Sequence, residues 1–226
     1  MSSYLDRSIS LIGKETMNVI QNKTIMVVGL GGVGGTALEA LARSGFASFI
    51  LVDSDDVDIT NLNRQIMYLS SDLGKAKVDA CENRIKAINE NIRVKKHKVY
   101  LDGNNIDIFK KYKIDYVVDA IDSVDSKLVL YKFCLNNNMP IISCLGMGKR
   151  IDPTQVCIMK LNQTKGDPLA RKIRYQCKQN NIDTNSIKVV FSNEEPINSE
   201  ATISSMIMVP STAGLLIAKE IISSYK

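Results

Sequence analysis

One stretch limits what this chain can become more than any other: residues 24–53, TIMVVGLGGVGGTALEALARSGFASFILVD. An apolar run at 25–28 empties into Gly29-x-Gly31-x-x-Gly34, helical patterning follows over 33–43, and a second apolar run at 49–52 ends on Asp53. That order spells a βαβ unit. The glycines permit a tight turn, a close approach of backbone to phosphate and close packing of helix on strand, while the helix N-terminus offers unpaired N–H groups and a positive dipole end to an anion. An acid about 20 residues on, at the tip of the second strand, is placed to accept hydrogen bonds from ribose hydroxyls. The stretch is therefore read as a nucleotide site; a turn that merely packed a helix on a sheet would leave Asp53 unexplained. Dehydrogenases and adenylating enzymes share this geometry, so the nucleotide stays open at this point.

The remaining chain keeps the alternation going. Gly74 opens a helix over 75–89 with Val78, Ile85 and Ile88 on one side. A strand at 93–99 and a short helix at 106–112 follow, then a buried strand at 115–120 that delivers Asp119 and Asp122 to the same sheet end as Gly29. A helix over 126–138 stops before Pro140, and 140–144 is another buried strand. Ahead of the glycine loop, Ile9, Ile12, Met17 and Ile20 predict a single helical stripe over 9–20, in an arm laid against the nucleotide domain or a neighbour. The acidic, aperiodic SDDVDITNLNRQ at 54–65 is a loop at the carboxyl end of the sheet, where doubly wound folds bind ligands.

Beyond Gly146 the pattern changes: a strand at 155–161 without a standard crossover, a basic helix over 168–179, a strand at 187–191, a polar connector over 193–205 and a last helix over about 208–224. The expectation is a Rossmann-like, doubly wound α/β fold with a mostly parallel sheet and a C-terminal extension of mixed strands and helices. Residues 1–226 form one domain in this reading, with 1–22 as its arm and 146–226 as its extension.

Composition removes several classes. At 226 residues, 45% hydrophobic and 23% charged, the chain can bury its own core. Its net charge of +5 favours a polyanionic partner without demanding one. Cys81, Cys134, Cys144, Cys157 and Cys177 show no paired spacing, so reduced thiols of a cytoplasmic protein are expected. His97 is the single histidine and is assigned to a solvated strand face, which leaves little from which to build a zinc site. The apolar tail at 206–222 is interrupted by Pro210, Lys219 and Glu220, reads as a buried helix, and gives no membrane partner.

Past the glycine loop, the chain carries Asn61-x-Asn63-Arg64-Gln65, then Gly74-x-x-Lys77 at a helix start, then Asp119-Ala-Ile-Asp122-Ser123. This set resembles the adenylating family related to ubiquitin-activating enzymes, which includes activators of small sulfur-carrier proteins. Ile151-Asp152-Pro153-Thr154-Gln155, Asp167-Pro168-Leu169-Ala170, the basic helix and Val190-Phe191-Ser192, with Arg7-Ser8 and Leu11 to Glu15 at the front, resemble the branch of tRNA threonylcarbamoyladenosine dehydratases. The chain departs from that branch in a shorter segment at 193–205 and in lacking a cysteine near the start of the last helix. The zinc-binding cysteine pairs of sulfur-carrier activators are absent as well.

What the resemblance implies is ATP-dependent activation of the threonylcarbamoyl carboxylate on an adenosine of the tRNA anticodon loop, followed by ring closure that expels AMP. Adenylation of a small carrier protein's terminal carboxylate is the second reading, and a nicotinamide-dependent oxidoreductase the third. By resemblance Arg64 and Lys77 meet the phosphates, Arg7 reaches across a homodimer interface into the neighbour's site, and Asp122 holds Mg²⁺, with Asp119 capping the following turn. Asp53 takes the ribose with help from Asn61 and Asn63, and Gly29, Gly31, Gly32, Gly34 and Ser123 complete the nucleotide set. For tRNA phosphates the candidates are Lys149, Arg150, Arg171, Lys172 and Arg174, with Tyr175 as a stacking platform. A sulfur-transfer partner protein is left open.

Overall fold

The computed structural model describes residues 3–197 and 204–226. The arm holds two short helices, α1 (Asp6–Ile12) and α2 (Lys14–Gln21), rather than the single helix expected over 9–20. Gly13 separates them at φ 86°, ψ 155°, a conformation that no helix continues through; its N–H closes α1 on the Ile9 carbonyl. The apolar stripe survives the break, because Met17 and Ile20 are buried against the main core.

β1 (Thr24–Val28), α3 (Gly32–Arg43) and β2 (Ser48–Val52) form the expected βαβ unit. Then come α4 (Lys77–Ile88), β3 (Arg93–His97), β4 (Tyr116–Asp119), α5 (Val124–Asn136) and β5 (Ile141–Cys144). The last third supplies β6 (Val156–Lys160), α6 (Pro168–Gln179), β7 (Lys188–Ser192) and α7 (Met208–Ser223). Strands join in the order β3-β2-β1-β4-β5-β7-β6 in one sheet. All pairs are parallel except β6 with β7, whose register runs Val156↔Ser192 to Lys160↔Lys188. The extension therefore widens the sheet of the nucleotide unit.

Alternate residues of β1 feed two cores. Ile25 and Val27 face the helices α2, α3, α4 and α7, whereas Met26 and Val28 face α5 and α6. Burial on both faces is what makes these strands read as continuous apolar runs. α7 lies so close to α3 that a Cβ on Gly214 would stand 2.6 Å from the Val33 carbonyl oxygen. Chain order runs outward from β1 to β3, then restarts on the other side at β4. That switch point lies between β1 and β4, where Val28 pairs with Asp119, and it opens a crevice at their carboxyl ends.

Candidate functional site

A cleft of about 440 Å³ fills that crevice. Its floor is the glycine loop. Gly29 sits at φ 87°, and a Cβ there would fall 2.5 Å from the Ala120 carbonyl oxygen, so only glycine lets β1 turn beneath the β4 end. Gly31 caps the N-terminus of α3 and lines the cleft beside Gly32. Gly34 is behind it: a Cβ would meet the Gly29 carbonyl oxygen at 1.8 Å, so its role is to seat α3 on β1.

Asp53, just past β2, anchors the loop. Its Oδ2 accepts the Leu30 N–H at 2.6 Å and its Oδ1 the Asp55 N–H at 2.9 Å. Burial pushes the Asp53 carboxyl above its ordinary value, against the pull of nearby Lys77. The acidic loop is folded, not free. Asp58 caps the turn Ile59–Asn61 by accepting the Thr60 N–H at 2.8 Å, and Asn61 Oδ1 accepts the Asp58 N–H at 3.2 Å. Backbone bonds from Val57 to Lys75 and from Lys77 to Asp55, at 2.8 and 3.0 Å, tie the head of α4 to this loop.

That tie explains how Lys77, distant in sequence, enters the cleft. It is 6% exposed and its Nζ lies 2.8 Å from Asp55 Oδ2. The hydrogen bond from Lys77 holds the Asp55 carboxyl below its ordinary value. Arg64 reaches the cleft from the same loop, its Nη1 donating to the Thr60 carbonyl at 2.6 Å and to Asn63 Oδ1 at 2.9 Å. Asp122 lines the opposite rim, exposed and without an ion pair among the described residues. Asp119 is fully buried; its Oδ1 accepts the Ile121 N–H at 3.1 Å, the turn cap expected of it. Its Oδ2 meets Lys127 Nζ at 2.9 Å and Ser143 Oγ at 2.6 Å. Those partners leave it no face toward a metal.

The cleft thus gathers Gly29, Gly31, Gly32, Asp53, Asn61, Arg64, Lys77 and Asp122. Other sequence-stated residues stand outside its lining. Asn63 donates from Nδ2 to the Ser205 carbonyl at 2.9 Å, so its amide joins Arg64 to the approach of α7. Ser123 caps α5 and accepts from Tyr100 Oη at 2.9 Å. Arg7 is exposed on α1, a helix that buries none of its residues.

Several lining side chains were not singled out from sequence, among them Asp55, Tyr100 and Gln65. Tyr100, 58% exposed, walls the cleft next to Leu101; nothing in its spacing marks it. Gln65 stood inside the Asn61-to-Gln65 motif but carried no role. It is buried, and its Oε1 has no hydrogen-bond partner among the described residues, which costs about 1–3 kcal/mol for a buried acceptor.

The basic candidates separate by burial. Arg171 and Lys172 are exposed on α6 together with Tyr175. Arg174 donates to the Thr164 carbonyl at 2.9 Å and to its hydroxyl. Arg150 is withdrawn from any surface role: 5% exposed, it donates to the carbonyls of Gly146 and Glu194 and meets Asp167 Oδ2 at 3.1 Å. An arginine spent this way pins the 146–151 loop to the head of α6. His97 also departs from a solvated strand face, its Nε2 lying 3.1 Å from Tyr112 Oη and its ring edge-on to Phe109. Burial, with Lys111 nearby, pushes its imidazole below the ordinary value. No helix among the described residues is long and apolar enough to cross a membrane.

Comparison with known proteins gives this geometry its relatives. The model of the ThiF family matches residues 5–225. A tRNA threonylcarbamoyladenosine dehydratase of Bacillus subtilis is 38% identical, covering 98% of this chain and 94% of the relative. The crystal structure of Escherichia coli tRNA N6-threonylcarbamoyladenosine dehydratase in complex with ATP superposes with a TM-score of 0.93 at 33% identity, covering 98% of this chain and 93% of that one. An adenylyltransferase and sulfurtransferase of Vanderwaltozyma polyspora is 36% identical, but over only 60% of this chain and 31% of its own length. The chain belongs to the ThiF family, in its branch of tRNA threonylcarbamoyladenosine dehydratases.

Proposed function

We infer that this protein is an ATP-dependent tRNA threonylcarbamoyladenosine dehydratase. The observation that carries the reading is one cleft at the sheet's switch point. It joins the head of α3, two cations and a rim carboxylate, in a chain that matches a dehydratase along nearly its whole length. In that cleft ATP lies with its ribose toward Asp53 and its phosphates between the head of α3, Arg64 and Lys77. A carboxylate oxygen of the threonylcarbamoyl group bonds to the α-phosphorus while the bond to the bridging oxygen breaks, and pyrophosphate leaves with the electron pair. The attacking carboxylate is already ionised near neutral pH, so this step needs no general base. The carbamoyl group then attacks the activated carbonyl and gives up one N–H proton to solvent as the ring closes, and the bond to AMP breaks, AMP leaving with one former carboxylate oxygen. Positioning and charge neutralisation are the protein's contribution.

Charge in the cleft supports two further assignments. Asp53, Asp55 and Asp122 outnumber Arg64 and Lys77, so one chain alone does not balance a triphosphate. Asp122, on the rim without an ion pair among the described residues, would hold Mg²⁺, which characteristically takes one or two carboxylates and fills its shell from phosphates and water. Mg²⁺, when bound, neutralises charge on the departing pyrophosphate. Arg7 supplies the missing cation from a second copy in a homodimer, the arm 1–22 reaching across. Arg171, Lys172 and Tyr175 face tRNA, and the whole chain, 146–226 included, acts as one adenylating domain. Any sulfur-transfer partner would work without a thiol of this chain, since four cysteines are buried and Cys157 is half-buried. The setting is the cytoplasm, where tRNA and ATP meet.

The test supplies ATP, Mg²⁺ and threonylcarbamoyladenosine-containing tRNA labelled with ¹⁸O in the threonyl carboxylate. The expected products are AMP carrying ¹⁸O and a nucleoside lighter by one water. Pyrophosphate exchange stimulated by a small carrier protein and not by tRNA would favour the adenylyltransferase reading instead.

A further inference from the structure

The two edges of the sheet carry unlike charge. β3, one edge strand, reads Arg-Val-Lys-Lys-His and is followed by Lys98, with no acid between residues 91 and 101, whereas β6, the other edge, carries Lys160 alone. Glu90 lies before β3, at the end away from the cleft. Lys96 meets Asp79 and Glu82 at 2.7 and 2.6 Å, and Lys98 meets Asp56 at 2.6 Å. Arg93 and Lys95 are exposed and make no ion pair among the described residues. Paired with Ser48 and Ile50 of β2, they share a face of the strand with His97, because alternate residues point the same way. His97 brings the turn Ile106–Lys111 to that face: its ring is edge-on to Phe109 and Tyr112, and Lys111 Nζ lies 5.1 Å from the centre of the Tyr112 ring. Lys111 and Lys113 are exposed there, again without an ion pair among the described residues, while Asp107 is taken by Lys110. Four cations without an acid partner therefore gather at one corner of the molecule.

Lysines on an edge strand keep a second chain from pairing with it. That role asks nothing of Lys111 and Lys113, which lie off the strand. The corner also adjoins the cleft, since Tyr100 lines the cleft wall five residues, and at most about 18 Å of chain, beyond Lys95. We propose that this corner is a tRNA-binding surface, with Arg93, Lys95, Lys111 and Lys113 meeting phosphates of the anticodon stem while the loop adenosine lies in the cleft. The inference rests on the tRNA reading above and adds a place for the stem. A stem is A-form RNA, whose deep, narrow major groove hides its bases, so exposed cations meet its phosphates and bind without regard to sequence.

Lys95→Gln, Lys111→Gln and Lys113→Gln combined remove three charges from exposed positions. The variant is expected to melt within about 2 °C of wild type, with the rise in melting temperature that ATP causes unchanged. Its binding of an anticodon stem–loop carrying threonylcarbamoyladenosine is expected to weaken about 10–100-fold at about 0.1 M salt, and the slope of log K against log salt to shrink by about 2–3. KM for tRNA rises, while kcat for AMP formation at saturating tRNA stays at the wild-type value. Arginine at the same three positions is expected to bind as wild type does, since phosphates ask for charge. Wild-type affinity and slope in the glutamine variant overturn the proposal. So does a loss seen with whole tRNA but not with the stem–loop, which would seat the corner on another part of the tRNA. Binding to vesicles of anionic lipid that the glutamine variant loses, with stem–loop binding intact, overturns it in favour of a membrane surface. If the wild-type protein forms no AMP with tRNA, the dehydratase reading fails separately, and the stem–loop titration still judges the surface.

Discussion

Lys77 separates chemistry from folding. Its removal leaves Asp55, which is mostly exposed and rehydrates, so Lys77→Ala is expected to retain a wild-type circular dichroism spectrum. AMP release is expected to drop by about 10²-fold or more for want of a phosphate cation; a fully active variant would contradict the assignment. His97 offers a second check, since the chain has one histidine and thus a single set of imidazole resonances. Its NMR titration midpoint is expected below the ordinary 6.5. The unfolded chain then binds a proton first as pH falls through 6.5, so His97 costs stability between that value and its lower folded one, and adds no further loss below. A midpoint at or above 6.5 would mean the ring is solvated as its basic surroundings suggest. Sequence named Arg64, Lys77 and Asp122 through their motif, yet could not separate Arg150 from Arg171. Both are arginines in basic stretches, and only packing shows that one serves Asp167 and the other solvent.

At the scale of elements, the glycine loop and the 146–151 loop answer differently to substitution. Gly34→Ala drives a methyl into the Gly29 carbonyl and is expected to destabilise by about 3 kcal/mol or more, with α3 lifted from β1. Urea denaturation would register it, and an unchanged midpoint would show that α3 can shift without cost. Arg150→Met strands the Asp167 carboxylate in the interior and is expected to cost about 3–5 kcal/mol, read in the same way. Element types were legible because two-sided burial writes continuous apolar runs and one-sided burial writes helical stripes. Boundaries were less so. The helix expected from residue 75 begins at Lys77, because the chain first pairs backbone with Asp55 and Val57. The arm breaks at Gly13, a residue whose positive φ is a tertiary choice.

For the whole molecule the decisive question is whether the site is completed by a second copy. Arg7 is exposed on α1, whose Ile9 and Ile12 pack against the main core, and it does not line its own chain's cleft, where Asp53, Asp55 and Asp122 outnumber Arg64 and Lys77. Arg7→Ala and Asp122→Ala are each expected to be inactive alone. Mixed, they should recover about a quarter of wild-type AMP formation, since half of randomly paired dimers hold one intact site of two. No recovery would place Arg7 outside the partner's site. Salt belongs to this scale too: if Arg171 and Lys172 meet phosphates, replacing either weakens tRNA binding and flattens its dependence on ionic strength, leaving binding of ATP alone unchanged.

Local sequence determined the βαβ unit, the glycine turn and the acid after β2, since these rest on spacing within one or two elements. It determined the family as well, because the loop, helix-start and strand-end motifs recur at fixed separations. Tertiary structure alone decided which polar groups are free to act. Lys77 reaches the cleft by backbone pairing across 22 residues, Asp119 is consumed by Lys127 while Asp122 has no ion pair among the described residues, and the buried Gln65 Oε1 has no partner among them. Hydrogen-bond partners are drawn from distant parts of the chain, and no local pattern records which of them are already taken.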